Sequence, residues 1–379
     1  MIDIKDKSAC CGCSACVQVC PKDCILFNED NEGFRYPSVD STKCIDCGLC
    51  EKACPVITQN EPRQPIGVYA AKNGNEDVRL SSSSGGIFTA LAEIVINRGG
   101  VVFGARFDEN WEVKHDFTET IEGLSAFRGS KYLQSRIENA YSDVETFLKQ
   151  DRTVLFSGTP CQVAGLKRYL RREYENLLTT DFVCHGVPSP LVWREYLERA
   201  SKGRKISSIN FRDKNEGWKN FKFVVAGEEC IINHFFYTNE YMQGFLRNIY
   251  LRPSCYTCPA RSGKSGTDIT LGDFWGIENY LPEFDDDKGV SLVMVQTEKG
   301  ATYFNAVKCR RIDTDYERAL DGNPSIEKNA YCSLKYRQMF WQSKDKINNI
   351  SRIISKMKPS FLRRCIGFAK RIIRKLVLR

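Results

Sequence analysis

Histidine is scarce in this 379-residue chain, which holds only His115, His185 and His234. Chemistry built on several imidazoles is therefore excluded. Long apolar runs are also missing: no stretch of about 18 uncharged apolar residues occurs, so no membrane-spanning helix is expected. Residues 1–7 carry no apolar core of the kind a secretory leader needs, which makes the cytoplasm the expected compartment. Low-complexity tracts are absent, and nothing repeats internally apart from one cysteine motif. Cysteine itself is abundant, with eighteen residues. In a secreted chain such a number would suggest disulfide bridges, but the spacing here suits metal ligation in a reducing compartment.

The motif reads C-x-x-C-x-x-C-x-x-x-C-P twice: Cys10, Cys13, Cys16 and Cys20-Pro21, then Cys44, Cys47, Cys50 and Cys54-Pro55. Three thiolates spaced by two residues can wrap one iron–sulfur cube, while the fourth, carried past by the turn before proline, reaches the neighbouring cube. Zinc takes its four ligands in two pairs and has no use for this triplet. The expected sets are therefore crossed, with Cys10, Cys13, Cys16 and Cys54 on one 4Fe-4S cluster and Cys44, Cys47, Cys50 and Cys20 on the other. The stretch resembles a bacterial-type two-cluster ferredoxin domain. Cys11 and Cys24 are extra to the pattern and are read as small buried apolar side chains.

A chain of this length is expected to form two or three domains. The expected fold class is α+β: a ferredoxin-like two-cluster module over 1–60, a mixed-sheet α/β flavin-binding oxidoreductase domain over 61–325, and a helical basic tail over 326–379. A hairpin is expected near 28–33, and the proline-bearing stretch 59–65 reads as a linker. Beyond it, apolar runs predict strands at 67–72, 100–107, 112–117, 153–157 and 177–184. Between and after these, helices are predicted at 87–97, 137–149, 161–170 and 190–200. Such alternation implies a sheet covered by helices.

Two glycine-bearing turns carry chemical interest. Ser81-Ser82-Ser83-Ser84-Gly85-Gly86 precedes an apolar helix, where it either receives an anion such as a flavin pyrophosphate or simply caps the helix. Gly158-Thr159-Pro160-Cys161-Gln162 puts a cysteine at a helix N-terminus, where the dipole favours its thiolate. Cys184 ends the next strand, and Cys255 and Cys258 lie in a loop. Parallel strand ends converge on one sheet edge, so these four are expected to hold a third 4Fe-4S cluster, with zinc as the alternative. Cys230, Cys309, Cys332 and Cys365 have no partner spacing and are read as packing residues.

Several of these motifs occur together: Ser83-Ser84-Gly85-Gly86, Gly129-Ser130-Lys131-Tyr132-Leu133-Gln134-Ser135, Gly158-Thr159-Pro160-Cys161-Gln162, Cys184-His185-Gly186-Val187-Pro188-Ser189, Cys255-x-x-Cys258, and 268–275. In combination they resemble the coenzyme F-420 hydrogenase/dehydrogenase beta-subunit family over about residues 1–310. The resemblance implies FAD beside Ser83, Ser84, Gly85, Gly86, Lys131, Tyr132, Gln134, Ser135, Thr159 and Pro160. It also implies a cluster on Cys161, Cys184, Cys255 and Cys258. Lys131, His185 and Asp273 are the candidate catalytic groups. Bacterial relatives with Phe211-Arg212-Asp213-Lys214 and Gly217-Trp218-Lys219 suggest a link to cell-surface polysaccharide synthesis.

The expected function is an electron relay from ferredoxin, a deazaflavin or another low-potential donor, through the clusters and FAD, to a small-molecule acceptor. An electron-transfer subunit serving a partner enzyme is the alternative, and an adaptor with structural clusters is a third class. Charge adds one more expectation. From 344 onward twelve Lys and Arg face a single acid, a local +11 that leaves −3 for the rest of a chain whose net charge is +8. Residues 361–378 place Leu362, Cys365, Ile366, Ala369, Ile372, Ile373 and Leu376 on one helical stripe with basic residues opposite. This predicts peripheral attachment to an anionic membrane surface and no nucleic-acid partner.

Overall fold

The computed structural model describes residues 1–357. Its strands, in chain order, are β1 (Ile25–Glu29), β2 (Arg35–Val39), β3 (Gly67–Asn73), β4 (Val101–Phe107), β5 (Val113–Thr118), β6 (Val154–Ser157), β7 (Leu177–Phe182), β8 (Ile206–Asp213), β9 (Lys222–Gly227), β10 (Cys230–Phe235), β11 (Ile269–Asp273), β12 (Ser291–Val295) and β13 (Cys309–Thr314). Eight of them form one mixed sheet in the order β13-β3-β12-β11-β7-β6-β4-β5. Its centre is parallel, with β4 against β6, β6 against β7 and β7 against β11, while β5, β12, β3 and β13 join antiparallel.

The strand period of two assigns each side chain to a face. Val101, Phe103, Val154, Phe156 and Leu177 meet the helices Ala140–Lys149 and Pro160–Leu170 on one face. Val102, Leu155, Leu178, Ile269 and Val293 meet Ile87–Asn97 on the other. Both faces are covered, which is why the central strands read as continuous apolar runs.

Residues 1–57 form the module predicted from cysteine spacing. β1 and β2 pair as a hairpin, and each half of the motif holds a one-turn helix, Ala15–Gln18 or Leu49–Lys52, entered through a left-handed residue. The module lies on the first face of the sheet, where Cys11, Cys13, Ala15 and Ala53 join that core.

Residues 206–235, for which apolar periodicity predicts nothing definite, form a separate antiparallel sheet, β10-β9-β8. Phe211, Phe223, Val225 and Ile232 bury its inner face against Pro190–Ser201, Glu240–Leu246 and Lys346–Met357. The last of these docks through Ile347, Ile350, Ile353 and Ile354. Among the described residues no helix is long and apolar enough to cross a membrane. The amphipathic stretch expected over 361–378 lies outside the described residues.

Candidate iron–sulfur and redox site

The first two cysteine sets each line a cavity. Cys10, Cys13 and Cys16 share one with Cys54, walled by Ile2, Ile4, Phe27 and Val56, with about 310 Å³ of atom-free space including its mouth. Cys44, Cys47 and Cys50 share another with Cys20, beside Met1, Ile25, Val39 and Ile45, with about 360 Å³ counted the same way. Each cavity is thus completed by a cysteine from the opposite half, in the crossed arrangement the spacing predicts. We call the first inner, because the body covers it, and the second outer.

The donor sets fit 4Fe-4S clusters. Burial pushes the Cys16 thiol up to about 12, so a thiolate there needs the positive charge of a metal close by. Among the described residues no three Cys, His, Asp or Glu side chains close around a single-ion point, whereas the cysteine-lined cavities leave room for a larger group. Protein donors also reach the sulfurs: Ile2 N–H to Cys50 Sγ at 3.3 Å and Arg252 Nη2 to Cys10 Sγ at 3.5 Å.

The third set is assembled by the parallel strands. Ser157 at the end of β6 is in register with Thr180 near the end of β7, so the chain leaves both strands at the same edge. Thr159 then caps the helix Pro160–Leu170 in a reciprocal box with Gln162, and the Thr159 hydroxyl lies 3.2 Å from Cys161 Sγ. Cys184 follows β7. Cys255 sits in the turn Pro253–Thr257, with Cys258 capping its end, and Val187 N–H points at Cys255 Sγ from 3.4 Å. Cys161, Cys184, Cys255 and Cys258 line one cavity with about 780 Å³ of atom-free space including its mouth. Burial pushes Cys255 up to about 12. The set fits a 4Fe-4S cluster on the same grounds as the other two. When bound, such clusters exchange single electrons, at potentials tuned by hydrogen bonds to sulfur and by burial.

The same cavity has a polar wall. Asp181, Gln296, Arg63 and Arg261 all line it. Asp181 Oδ1, Gln296 Oε1 and the Nε atoms of Arg63 and Arg261 are buried there without a hydrogen-bond partner. Other nitrogens of the two guanidinium groups are engaged. Arg261 Nη1 donates to the Cys184 carbonyl at 3.0 Å and to Ser325 O, while Arg63 Nη2 donates to Thr267 O. Burial raises the Asp181 carboxyl to about 6 against the pull of the Ser265 and Thr270 hydroxyls and Arg63.

The residues expected to hold FAD lie elsewhere along the sheet edge. Ser84 Oγ donates to Val290 O at 2.8 Å, Gly85 N–H donates to Ser291 Oγ at 3.0 Å, and Asn73 Nδ2 donates to Gly86 O at 2.9 Å. Ser83 Oγ accepts from Ser130 N–H at 2.6 Å. Lys131 Nζ donates to the carbonyls of Phe127, Arg128 and Gly129, and burial pushes it down to about 7. The Tyr132 ring is packed against Phe211 and Phe245. Gln134 reaches Cys11 O at 3.2 Å, and Ser135 Oγ meets His115 Nδ1 and Gln162 Nε2. Residues 129–135 therefore run from Ser83 to the cluster end of the sheet. Their polar atoms bond to protein, and of the ten only Pro160 lines the four-thiol cavity.

None of the three catalytic candidates lines that cavity. Asp273 is paired with Arg212 and accepts from Trp218 Nε1 at 3.0 Å, while Arg212 also lies over the Phe221 and Trp275 rings. His185 packs edge-on against Phe245. Three residues at the site carry signals to which sequence reasoning gave no functional role. Asp181 is a lone acid in an apolar strand three residues before Cys184, Arg252 lies three before Cys255, and Cys11 sits inside the first triplet.

Comparisons with known proteins agree with this layout. Residues 68–141 match the family model "Coenzyme F420 hydrogenase/dehydrogenase, beta subunit N-term", 151–318 match its C-terminal counterpart, and 9–57 match a 4Fe-4S dicluster domain. A coenzyme F420-dependent sulfite reductase of Methanocaldococcus jannaschii is 24% identical over 324 residues, covering 81% of this chain and 47% of that protein, so the chain spans about half the length of this relative. A 7Fe ferredoxin of Hydrogenibacillus schlegelii is 51% identical over 43 residues, 11% of this chain and 49% of the ferredoxin. A chain of the F420-reducing [NiFe] hydrogenase complex from Methanosarcina barkeri aligns with a TM-score of 0.47 at 17% identity, covering 77% of this chain and 92% of that one. With both of its models matched in order behind a dicluster domain, the chain belongs to the coenzyme F420 hydrogenase/dehydrogenase beta-subunit family.

Proposed function

We propose that this chain is an iron–sulfur oxidoreductase that takes single electrons from a low-potential donor at the ferredoxin module and delivers them to a small molecule in the body cavity. One observation carries the reading: the four body thiols share a cavity with Asp181, Gln296, Arg63 and Arg261, and each of these four side chains has a buried polar atom without a hydrogen-bond partner. Buried polar atoms without partners are uncommon and call for a ligand or ordered water. Here two acceptors and two donors suit a small compound carrying both a carbonyl and an N–H or O–H group. Asp181 is the group placed to hold or deliver a proton at Oδ1 as that compound is reduced. Reduced ferredoxin is the donor class that a dicluster module suits best.

The test uses anaerobically purified protein reduced by ferredoxin and mixed with small hydroxy-carbonyl compounds. Reoxidation by one of them, slowed in Asp181→Asn, is the expected result. Reoxidation equally fast in both proteins would remove Asp181 from the reading. Flavin extraction from the same preparation measures whether FAD is bound.

A second reading draws on length. The sulfite reductase relative is about twice as long as the stretch it shares with this chain, which favours an electron-transfer component serving a separate catalytic unit. In that case the purified chain reduces no small molecule alone and does so once its partner is added.

A further inference from the structure

Cys11 is 5% exposed and lies outside the four-cysteine sets. It lines the inner cavity and also the body cavity, and it is the cysteine those two share. It packs in one buried cluster with Cys13, an inner-set thiol, and Cys161, a body-set thiol. The other extra cysteine gives the contrast. Cys24 lies 3.4 Å from Cys20 and beside Cys44, both in the outer set, and lines the outer cavity alone.

The surroundings hold Cys11 in place. Its carbonyl accepts from Gln134 Nε2 at 3.2 Å. At Gly12 a side chain has no room, since a Cβ there would stand 2.6 Å from Gln134 Nε2 and 2.8 Å from Arg252 Cζ. Arg252, 1% exposed, donates to Cys10 O at 2.7 Å, to Gln134 Oε1 at 3.0 Å and to Arg35 O at 2.8 Å. One turn beyond Cys161, Gly165 lies so close to Cys13 that a Cβ would be 3.0 Å from its sulfur. The helix bearing Cys161 therefore rests directly on the inner set.

We propose that Cys11 is a positioning residue at an electron-transfer junction, where the packed thiols Cys13–Cys11–Cys161 couple the inner 4Fe-4S site to the body 4Fe-4S site without Cys11 ligating either. Each site already has four thiols. The proposal rests on the reading that Cys161, Cys184, Cys255 and Cys258 hold a 4Fe-4S cluster. One electron leaves the inner site and enters the body site, with no bond made or broken. Its source is a low-potential one-electron reductant, ferredoxin in the reading above and dithionite in the test. Sulfur is the polarizable choice for such a bridge, and a thiol contact to a ligand sulfur shifts a cluster's potential.

The experiment compares full-length, anaerobically purified wild type, Cys11→Ala, Cys11→Ser and Cys24→Ala. Iron and sulfide content, EPR-monitored potentials and the rate of electron redistribution after sub-stoichiometric dithionite are measured on each. All four should hold the same iron. In Cys11→Ala the inner-to-body transfer should slow about tenfold and the body potential should move. Cys11→Ser, which keeps a donor, should lie between it and wild type, while Cys24→Ala should leave both quantities unchanged. Loss of about one cluster's iron in both Cys11 variants would make Cys11 a ligand and overturn the proposal. An unchanged rate and potential in Cys11→Ala would reduce it to packing. Zinc on the body cysteines of the wild type would instead overturn the three-cluster reading, a separate failure visible before any variant is made.

Discussion

The inner and outer halves of the ferredoxin module share one cysteine spacing and one local backbone and differ in what covers them. Cys10, Cys13, Cys16 and Cys54 are all buried, whereas in the outer set only Cys50 is buried, Cys20 and Cys44 are half-buried and Cys47 is exposed. The inner set is roofed by Arg252 and braced by Gly165. The outer set looks out past Ile45, 59% exposed, and Met1, 46% exposed. A repeated motif acquires direction from its neighbours, with the open half at the surface and the closed half joined to the body.

The largest effect should come from removing one ligand on each side. Cys47→Ala and Cys13→Ala should each lose about one cluster's iron, on four thiolates per cluster. The outer variant should keep the inner and body sites intact. The inner variant should also loosen the helix Pro160–Leu170, read as faster proteolysis or hydrogen exchange there. Equal damage to the body by both would break the comparison.

Arg252→Met comes next. It leaves Cys10 O, Gln134 and Arg35 O without their buried donor, a loss of about 2–5 kcal/mol by analogy with breaking buried charged contacts. It should also lower the potential of the inner site alone, because a donor to Cys10 sulfur is gone. Redox titration beside chemical denaturation checks both parts.

Gly12 and Gly48 form a matched pair, with φ of +73° and +70°. Either Gly→Ala change meets the left-handed penalty of about 1–2 kcal/mol. Nothing lies within 4 Å of a Cβ at Gly48, while Gly12 abuts Gln134 and Arg252, so the inner variant should cost about 1–3 kcal/mol more through overpacking. Equal losses would show that the inner packing is slack.

The smallest effect concerns where the inner route ends. Asp181 titrates near 6 when folded, against an ordinary value of 3.8. The fold therefore favours its neutral form. Below the unfolded value both states are protonated and there is no cost, and the cost grows as pH rises from about 4 to 6 and then levels off. Asp181→Asn should accordingly gain stability over wild type, by about 1 kcal/mol more at pH 7 than at pH 5. A gain independent of pH would mean that the carboxyl is solvated.

Much of this layout was legible before any coordinates. The crossed cysteine sets follow from spacing, and Cys161 and Cys184 come together because parallel strands release the chain at one edge. The helix predicted at 87–97 and the strands across 67–184 match because apolar period and turn residues agree there. The flavin assignment is different in kind. A resemblance names Ser83, Lys131 and Tyr132 but does not say whether their polar atoms face a cavity, and here those atoms bond to Ser130, to backbone carbonyls and to Arg212. Cys11 and Arg252 act across 150 and 242 residues of chain respectively, contacts that no local pattern encodes.

That separation of 242 residues between Cys10 and Arg252 has a meaning in time. Synthesis runs at about 5–20 residues per second, so the eight module cysteines leave the ribosome on the order of tens of seconds before the residue that closes over the inner set. Throughout that interval the inner cavity lacks its roof while the outer one is already complete. The simplest order of maturation loads iron into both halves of the nascent module first and lets the body fold down on a finished cluster. A cell short of iron–sulfur donors would then accumulate chains sealed around an empty inner site, still open to repair at the outer one.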